Sequence, residues 1–190
     1  MKKKVITLLT MVLVITILAG CSMQRASLIE KIDQEETYPE APGQLETVYS
    51  DMNAIATDAD LIVQVSVVDQ TVEILDSFPQ THTNVKVTAV YKGVANVGDE
   101  LEVVEEGGQG GKVMGGLPQL NDANDYILFL TEYNGSYYVC GAFQGRFIER
   151  EGYVFQQATE DTKLRGYTPI SVEDFADSLT GLTVENDKTE

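Results

Sequence analysis

The chain has 190 residues, with 13 Lys and Arg against 30 Asp and Glu, and a formal net charge of −17 with its single His neutral. Such acidity repels phosphate backbones and anionic headgroups, which excludes ordinary nucleic-acid binding and a polybasic contact with membranes. One His and two Cys also argue against a catalytic zinc site of the usual kind, which draws on several such ligands.

The amino terminus reads as a targeting segment. Lys2, Lys3 and Lys4 precede an apolar run from Val5 to Leu18, broken only by Thr7, Thr10 and Thr16. A basic start, a short apolar stretch and small residues before a cut site make a secretory signal peptide. The run is too short to span a hydrocarbon core, which takes ~20 residues. Leu18-Ala19-Gly20-Cys21 resembles the lipobox of bacterial lipoproteins. The resemblance implies signal-peptidase recognition at Leu18, Ala19 and Gly20, lipidation of the Cys21 thiol, and a mature chain starting at Cys21. Palmitate-type chains there would hold the protein on the extracytoplasmic face of the cell membrane, since two or more buried chains anchor stably where one does not. Loss of the signal's three lysines deepens the charge from −17 to −20. With Cys21 acylated, Cys140 has no partner for an internal disulfide.

Residues 1–20 are therefore the signal, and 21–44 read as a flexible tether ending in Tyr38-Pro-Glu-Ala-Pro-Gly43, with a helical turn near Leu28–Ile32. A domain is expected over 45–182 and an acidic tail over 183–190. Leu45, Val48, Tyr49, Met52, Ile55 and Ala56 recur at helical spacing and predict an amphipathic helix over 45–58. Leu61–Val68 alternates as a half-buried strand, and Val72–Leu75 reads as a short one. Thr83–Tyr91 and Glu100–Val104 follow. Tyr126–Leu130 is apolar on both faces and predicts a central strand, joined through Asn134-Gly135, a type I′ turn pair, to Tyr137–Phe143. Phe147–Glu149 and Tyr153–Phe155 flank a last hairpin turn. Ser171 to Asp174 then caps a short helix carrying Val172, Phe175 and Leu179. Many short strands with turns between them predict a mainly β fold, a small antiparallel barrel with flanking helices.

Ala59-Asp-Leu-Ile-Val63, Val87 to Gly93, Gly98-Asp99, Gly107-Gly108, Tyr126 to Leu130 and Gln144-Gly145 together resemble a group of small exported lipoproteins of Gram-positive bacteria. The resemblance spans about 55–160 and implies an OB-like barrel similar to the netrin/inhibitor domain. It brings no catalytic residue with it. In inhibitors of that fold a free amino-terminal Cys chelates a protease zinc. Here Cys21 would be acylated and stands well ahead of the domain.

Four groups of residues invite a chemical reading. Glu105 to Gly116 is rich in glycine, yet neither a P-loop nor a Gly-x-Gly-x-x-Gly pattern fits, since Glu106 and Val113 stand where each requires other residues. It reads as a long loop whose Gly107, Gly108, Gly110, Gly111 and Lys112 form a candidate binding rim. Asn121 to Asp125 offers oxygen ligands without the alternation, central Gly or closing Glu of a calcium loop, so turn formation is the plainer role. His82 and Cys140 would make a nucleophilic pair only within hydrogen-bond reach of each other, and Cys140 is expected mid-strand as a small buried hydrophobe. Most aromatic residues over 126–155 are expected in the core, with Tyr138 and Tyr153 exposed beside the rim. No metal or cofactor is expected. The leading expectation is a non-enzymatic binding module at the cell surface, taking a protein or peptide partner. A thiol enzyme using Cys140 and His82, or an acidic cation-binding protein, stands as the alternative.

Overall fold

The structure is a computed structural model that describes residues 25–34, 47–75, 78–108, 117–159 and 161–186, with side chains to Thr180. Leu18, Ala19, Gly20 and Cys21, most of the expected tether, and Gly110, Gly111 and Lys112 lie outside the described residues. The chain divides into two units, Met1–Glu35 and Glu36–Glu190. The first contains helix α1, residues 25–34, in place of the single turn predicted near Leu28.

The second unit is mainly β. Valines at every second position make its first hairpin, β1 (Leu61–Leu75) with β2 (Phe78–Lys92). Val63, Val65, Val85 and Val87 are all buried on one face, and a side chain of this size contributes about 1.5–3 kcal/mol when fully buried. Six strands follow: β3 (Glu100–Glu106), β4 (Asp125–Tyr133), β5 (Ser136–Val139), β6 (Arg146–Arg150), β7 (Tyr153–Gln156) and β8 (Ile170–Ser171). They form one sheet in the order β1-β2-β3-β5-β4-β6-β7-β8. Because β1 also pairs with β4, Leu61 to Ser66 against Leu130 to Asp125, the first five strands partly close into a ring. All pairings are antiparallel except β3 with β5.

β4 is apolar on both faces because it separates two cores. Tyr126, Leu128 and Leu130 alternate with Ile127 and Phe129, and all five are buried. The register sets Tyr126 and Leu128 opposite Val65 and Val63, inside the ring. Ile127 and Phe129 belong to the second core, with Ile62, Phe147 and Val154, and helices α2 (Met52–Asp58) and α3 (Val172–Asn186) cover it through Ile55, Ala56, Phe175 and Leu179. Phe129, Phe147, Tyr167 and Phe175 pack there edge-on or tilted, with centroids 5.2–6.4 Å apart.

Several boundaries differ from the sequence expectation, each for a tertiary reason. The helix predicted over 45–58 starts only at Met52, capped by Asp51, whose Oδ1 accepts from Ala54 N at 2.9 Å. Upstream, Gln144 brackets Tyr49, accepting from its N–H at 2.8 Å and donating to its carbonyl at 3.2 Å, while Ser50 O accepts from Arg165 N. Those bonds hold 49–50 out of the helix. The Val72–Leu75 segment is no separate strand; it continues β1 past a register shift between Val67 and Asp69. Tyr137–Phe143 shortens to β5, after which residues 140–145 loop out of the pairing with β4. Gly145 closes that excursion against β4, where a Cβ would stand 2.9 Å from both Phe129 Cβ and Phe129 O. The last helix runs to Asn186, into the region expected as tail.

Inside one end of the ring lies a salt bridge. Arg146 Nη1 is 3.0 Å from Glu105 Oε1, with side-chain exposures of 0% and 3%. The guanidinium also donates to Pro118 O and Gln157 Oε1, and it lies 5.6 Å from the Tyr126 ring centroid. Glu105 Oε2 accepts from Leu120 N. Burial raises the Glu105 carboxyl above the usual carboxylate range, and Arg146 pulls it back. Removing one member of such a pair costs about 3–5 kcal/mol. Glu105→Gln is therefore expected to lose about that much in urea unfolding at neutral pH and less in acid, where wild-type Glu105 is itself protonated. The variant's own stability carries no titration from this site, since an arginine cannot shed its proton. Arg146→Met differs in sign with pH. Without its counter-charge, Glu105 is raised further in the folded state, so stability is recovered below the unfolded carboxyl range and lost as pH climbs through the folded one. Parallel curves for the two variants from pH 4 to 8 would contradict this.

Candidate functional site

The outer face of β2, β3, β5 and β4 carries the most distinctive exposed side chains. The register runs His82 to Val104, Val104 to Tyr138, and Tyr138 to Thr131, so His82 and Tyr138 lie on one face two strands apart. The Asn134-Gly135 turn, with φ of 54° and 89°, brings Tyr133 opposite Ser136 as the type I′ expectation required. Tyr133 is 67% exposed and Tyr138 36%. Their rings meet at 64° with centroids 6.5 Å apart. Beside them Ser136 Oγ donates to Glu102 Oε1 at 2.9 Å, and His82 Nδ1 is 3.3 Å from the same oxygen. The Ser136 bond first, then His82, hold the Glu102 carboxyl below its ordinary range. His82 Nε2 faces Glu73 at 3.9 Å. The result is an aromatic pair next to a carboxylate that stays ionised.

Of the glycine-rich stretch, Gly107 and Gly108 are described and follow directly on β3. Gly107 N donates to Pro79 O at 2.8 Å, and Gly107 O accepts from Thr81 Oγ1 at 2.7 Å and Gln119 Nε2 at 2.9 Å. Gly108 lies against Pro79 and Val72 of the β1–β2 hairpin. Gly107 and Gly108 thus stand beside the end of that hairpin, near the β3 strand that also carries Glu102. Tyr153 is not brought to this face. It is half-buried on β7, three strands from β5 in the sheet order.

The remaining sequence candidates find other roles. Cys140 is buried and lies in the turn just past β5 instead of mid-strand. Burial, then Asp58 and Asp60, push its thiol up to about 12. Its neighbour is Tyr49, whose hydroxyl donates to Asp58 and is itself raised above its ordinary range, chiefly by burial. His82 instead faces Glu73 and Glu102. In the Asn121 to Asp125 turn, Asn121 Oδ1 accepts from Ala123 N and Asn124 Nδ2, and Asn124 Oδ1 accepts from Arg150. Among the described residues no three His, Cys, Asp or Glu side chains gather as metal ligands.

The sequence reading missed Tyr133, Ser136 and Glu102. A strict alternation count from Asn134-Gly135 places Tyr133, Ser136 and Tyr138 on one face, and that signal was present. Glu102 needed the β3–β5 pairing, which is parallel and far apart in sequence. Compared with family models, with curated proteins and with solved structures, the chain matches none.

A buried thiol at about 12 stays protonated at neutral pH. In the full chain carrying Cys21→Ser, Cys140 is expected to resist a thiol-specific disulfide reagent at pH 8 for as long as the protein stays folded, and to react with one equivalent in denaturant. Fast labelling of the native protein would overturn this.

Proposed function

We propose that this protein is a lipid-anchored extracytoplasmic bacterial lipoprotein whose domain is OB-like and acts as a non-enzymatic binding module at the cell surface. The strand order β1-β2-β3-β5-β4 returning to β1, with β3 and β5 parallel, supports the OB-like reading. Barrels of that kind bind on the face of their second and third strands and on bordering loops. The observation that carries the reading is the exposed Tyr133–Tyr138 pair on the neighbouring strands β4 and β5, beside the ionised Glu102 of β3 on the same outer face. Exposed aromatic pairs with a polar flank serve recognition, since they offer large area at little conformational cost. A partner protein or peptide fits this surface better than nucleic acid, given the net charge of −17.

Anchoring rests on Leu18-Ala19-Gly20-Cys21. No helix among the described residues is long and apolar enough to cross a membrane. In bacteria fed an alkyne analogue of palmitate, the wild-type chain is expected to take up label, and Cys21→Ser to lose it and leave the membrane fraction. Unchanged labelling of Cys21→Ser would refute lipidation there. For binding, capture from intact membranes is compared for the wild type, a Tyr133→Ser/Tyr138→Ser double variant and a deletion of Gly107–Gly116. A partner retained equally by all three would remove both the aromatic face and the rim from the proposal.

A further inference from the structure

We propose that the outer edge of β1 over residues 67–75 is a docking edge for an extended segment of another protein in which basic and apolar residues alternate. β1 is unusual in having two partners along only half its length. Through Ser66 it lies between β2 and β4; beyond Ser66 it pairs with β2 alone, as far as Leu75 against Phe78. No described strand occupies the other side of residues 67–75. Such an edge offers a row of main-chain donors and acceptors that matches only another extended chain.

Protected edges carry inward charges, lysines or prolines. This one carries apolar side chains in the open. Val68 is 50% exposed, Val72 39%, Ile74 70% and Leu75 58%. Against pairing it has the register shift at Val67–Asp69 and the carboxylates of Asp69 and Glu73, and the strand continues regularly past the shift.

The two faces specify the occupant. Thr71 pairs with His82 and Glu73 with Gln80 on the outer face, where Asp69 accepts from Asn84 Nδ2 at 2.7 Å. Val72 pairs with the buried Thr81, and Ile74 with Pro79, on the opposite face. A strand added beside β1 would set its residues opposite Asp69 and Glu73 on one side and opposite Val72 and Ile74 on the other. Lysine or arginine suits the first positions and an apolar residue the second, because directly opposed side chains are the unit of sheet stabilisation. A second copy of this chain fits poorly. It would bring another net charge of −17 and a second Asp69 and Glu73 to the seam. This inference stands independently of the aromatic face.

The test uses the full chain carrying Cys21→Ser and a fluorescent nine-residue peptide of alternating Lys and Val, followed by anisotropy. Two control peptides are run: one with the same residues in separate blocks, and one N-methylated on alternate backbone nitrogens. The alternating peptide is expected to bind, to slow amide exchange over residues 67–75, and to weaken at least about tenfold against a Val72→Lys/Ile74→Lys variant. Both side chains are exposed, so the variant should keep the wild-type melting temperature, which is checked. Equal binding of either control would reduce the effect to charge alone and overturn the proposal. So would the absence of binding at millimolar peptide, or protection confined to Tyr133–Tyr138.

Discussion

The buried Arg146–Glu105 pair is the constraint on which the ring depends. Arg146 begins β6 and Glu105 sits near the end of β3, two strands that do not pair with each other. The guanidinium joins them across the interior and also holds Pro118 and Gln157 by their oxygens. Glu105 in turn fixes Leu120, and Gln119 donates to Thr81. One end of the ring is therefore closed by charge-assisted and neutral hydrogen bonds, where valines fill the rest. A buried pair of this kind gives little net stability over an apolar replacement, but it tolerates no half-measure, because either charge alone is expensive in a low dielectric. Its consequence is positional. The segment 117–120 enters the ring because its carbonyl and amide groups are wanted there.

Two further devices tie the helices to the sheet. Lys92 Nζ donates to the carbonyls of Ala56, Thr57 and Ala59, meeting the free carbonyls at the end of α2. Gln144, fully buried, bonds Tyr49 on one side and Thr162 on the other, so the loop 140–145 becomes the clasp between the start and the end of the domain. Together they press α2 and α3 against Ile127, Phe129 and Phe147. With the inner faces packed from both sides, the surfaces proposed for recognition among the described residues are the outer face of β2, β3, β5 and β4 and the half of β1 beyond Ser66.

These regions differ in character. The outer face is preorganised, with two tyrosines in contact and Glu102 held by Ser136 and His82. The β1 edge has no such shell; its specificity would come from main-chain geometry and the alternation of carboxylate and apolar side chains. The thiol of Cys140 belongs to neither region; it is buried and protonated at neutral pH.

Local pattern determined much of this. The mainly β character, the double-faced β4, the Asn134-Gly135 turn, the hairpin around Glu151-Gly152 and the Ser171 cap were all legible, because each follows from side-chain alternation, from φ preference or from a capping bond within a few residues. The proposed lipobox at Leu18-Ala19-Gly20-Cys21 rests on the sequence alone, since those residues lie outside the described ones. What only tertiary structure decided involves partners distant in sequence. Glu105 reads as the acidic start of a loop until Arg146 arrives 41 residues later. Residues 49–50 read as helix until Gln144, 95 residues away, takes the Tyr49 backbone. Residues 72–75 read as a short strand of their own until β2 carries them on with Leu61–Val68 as one strand. Periodicity reports which face a side chain takes within its own element; it cannot report which distant group will compete for a backbone bond or neutralise a charge.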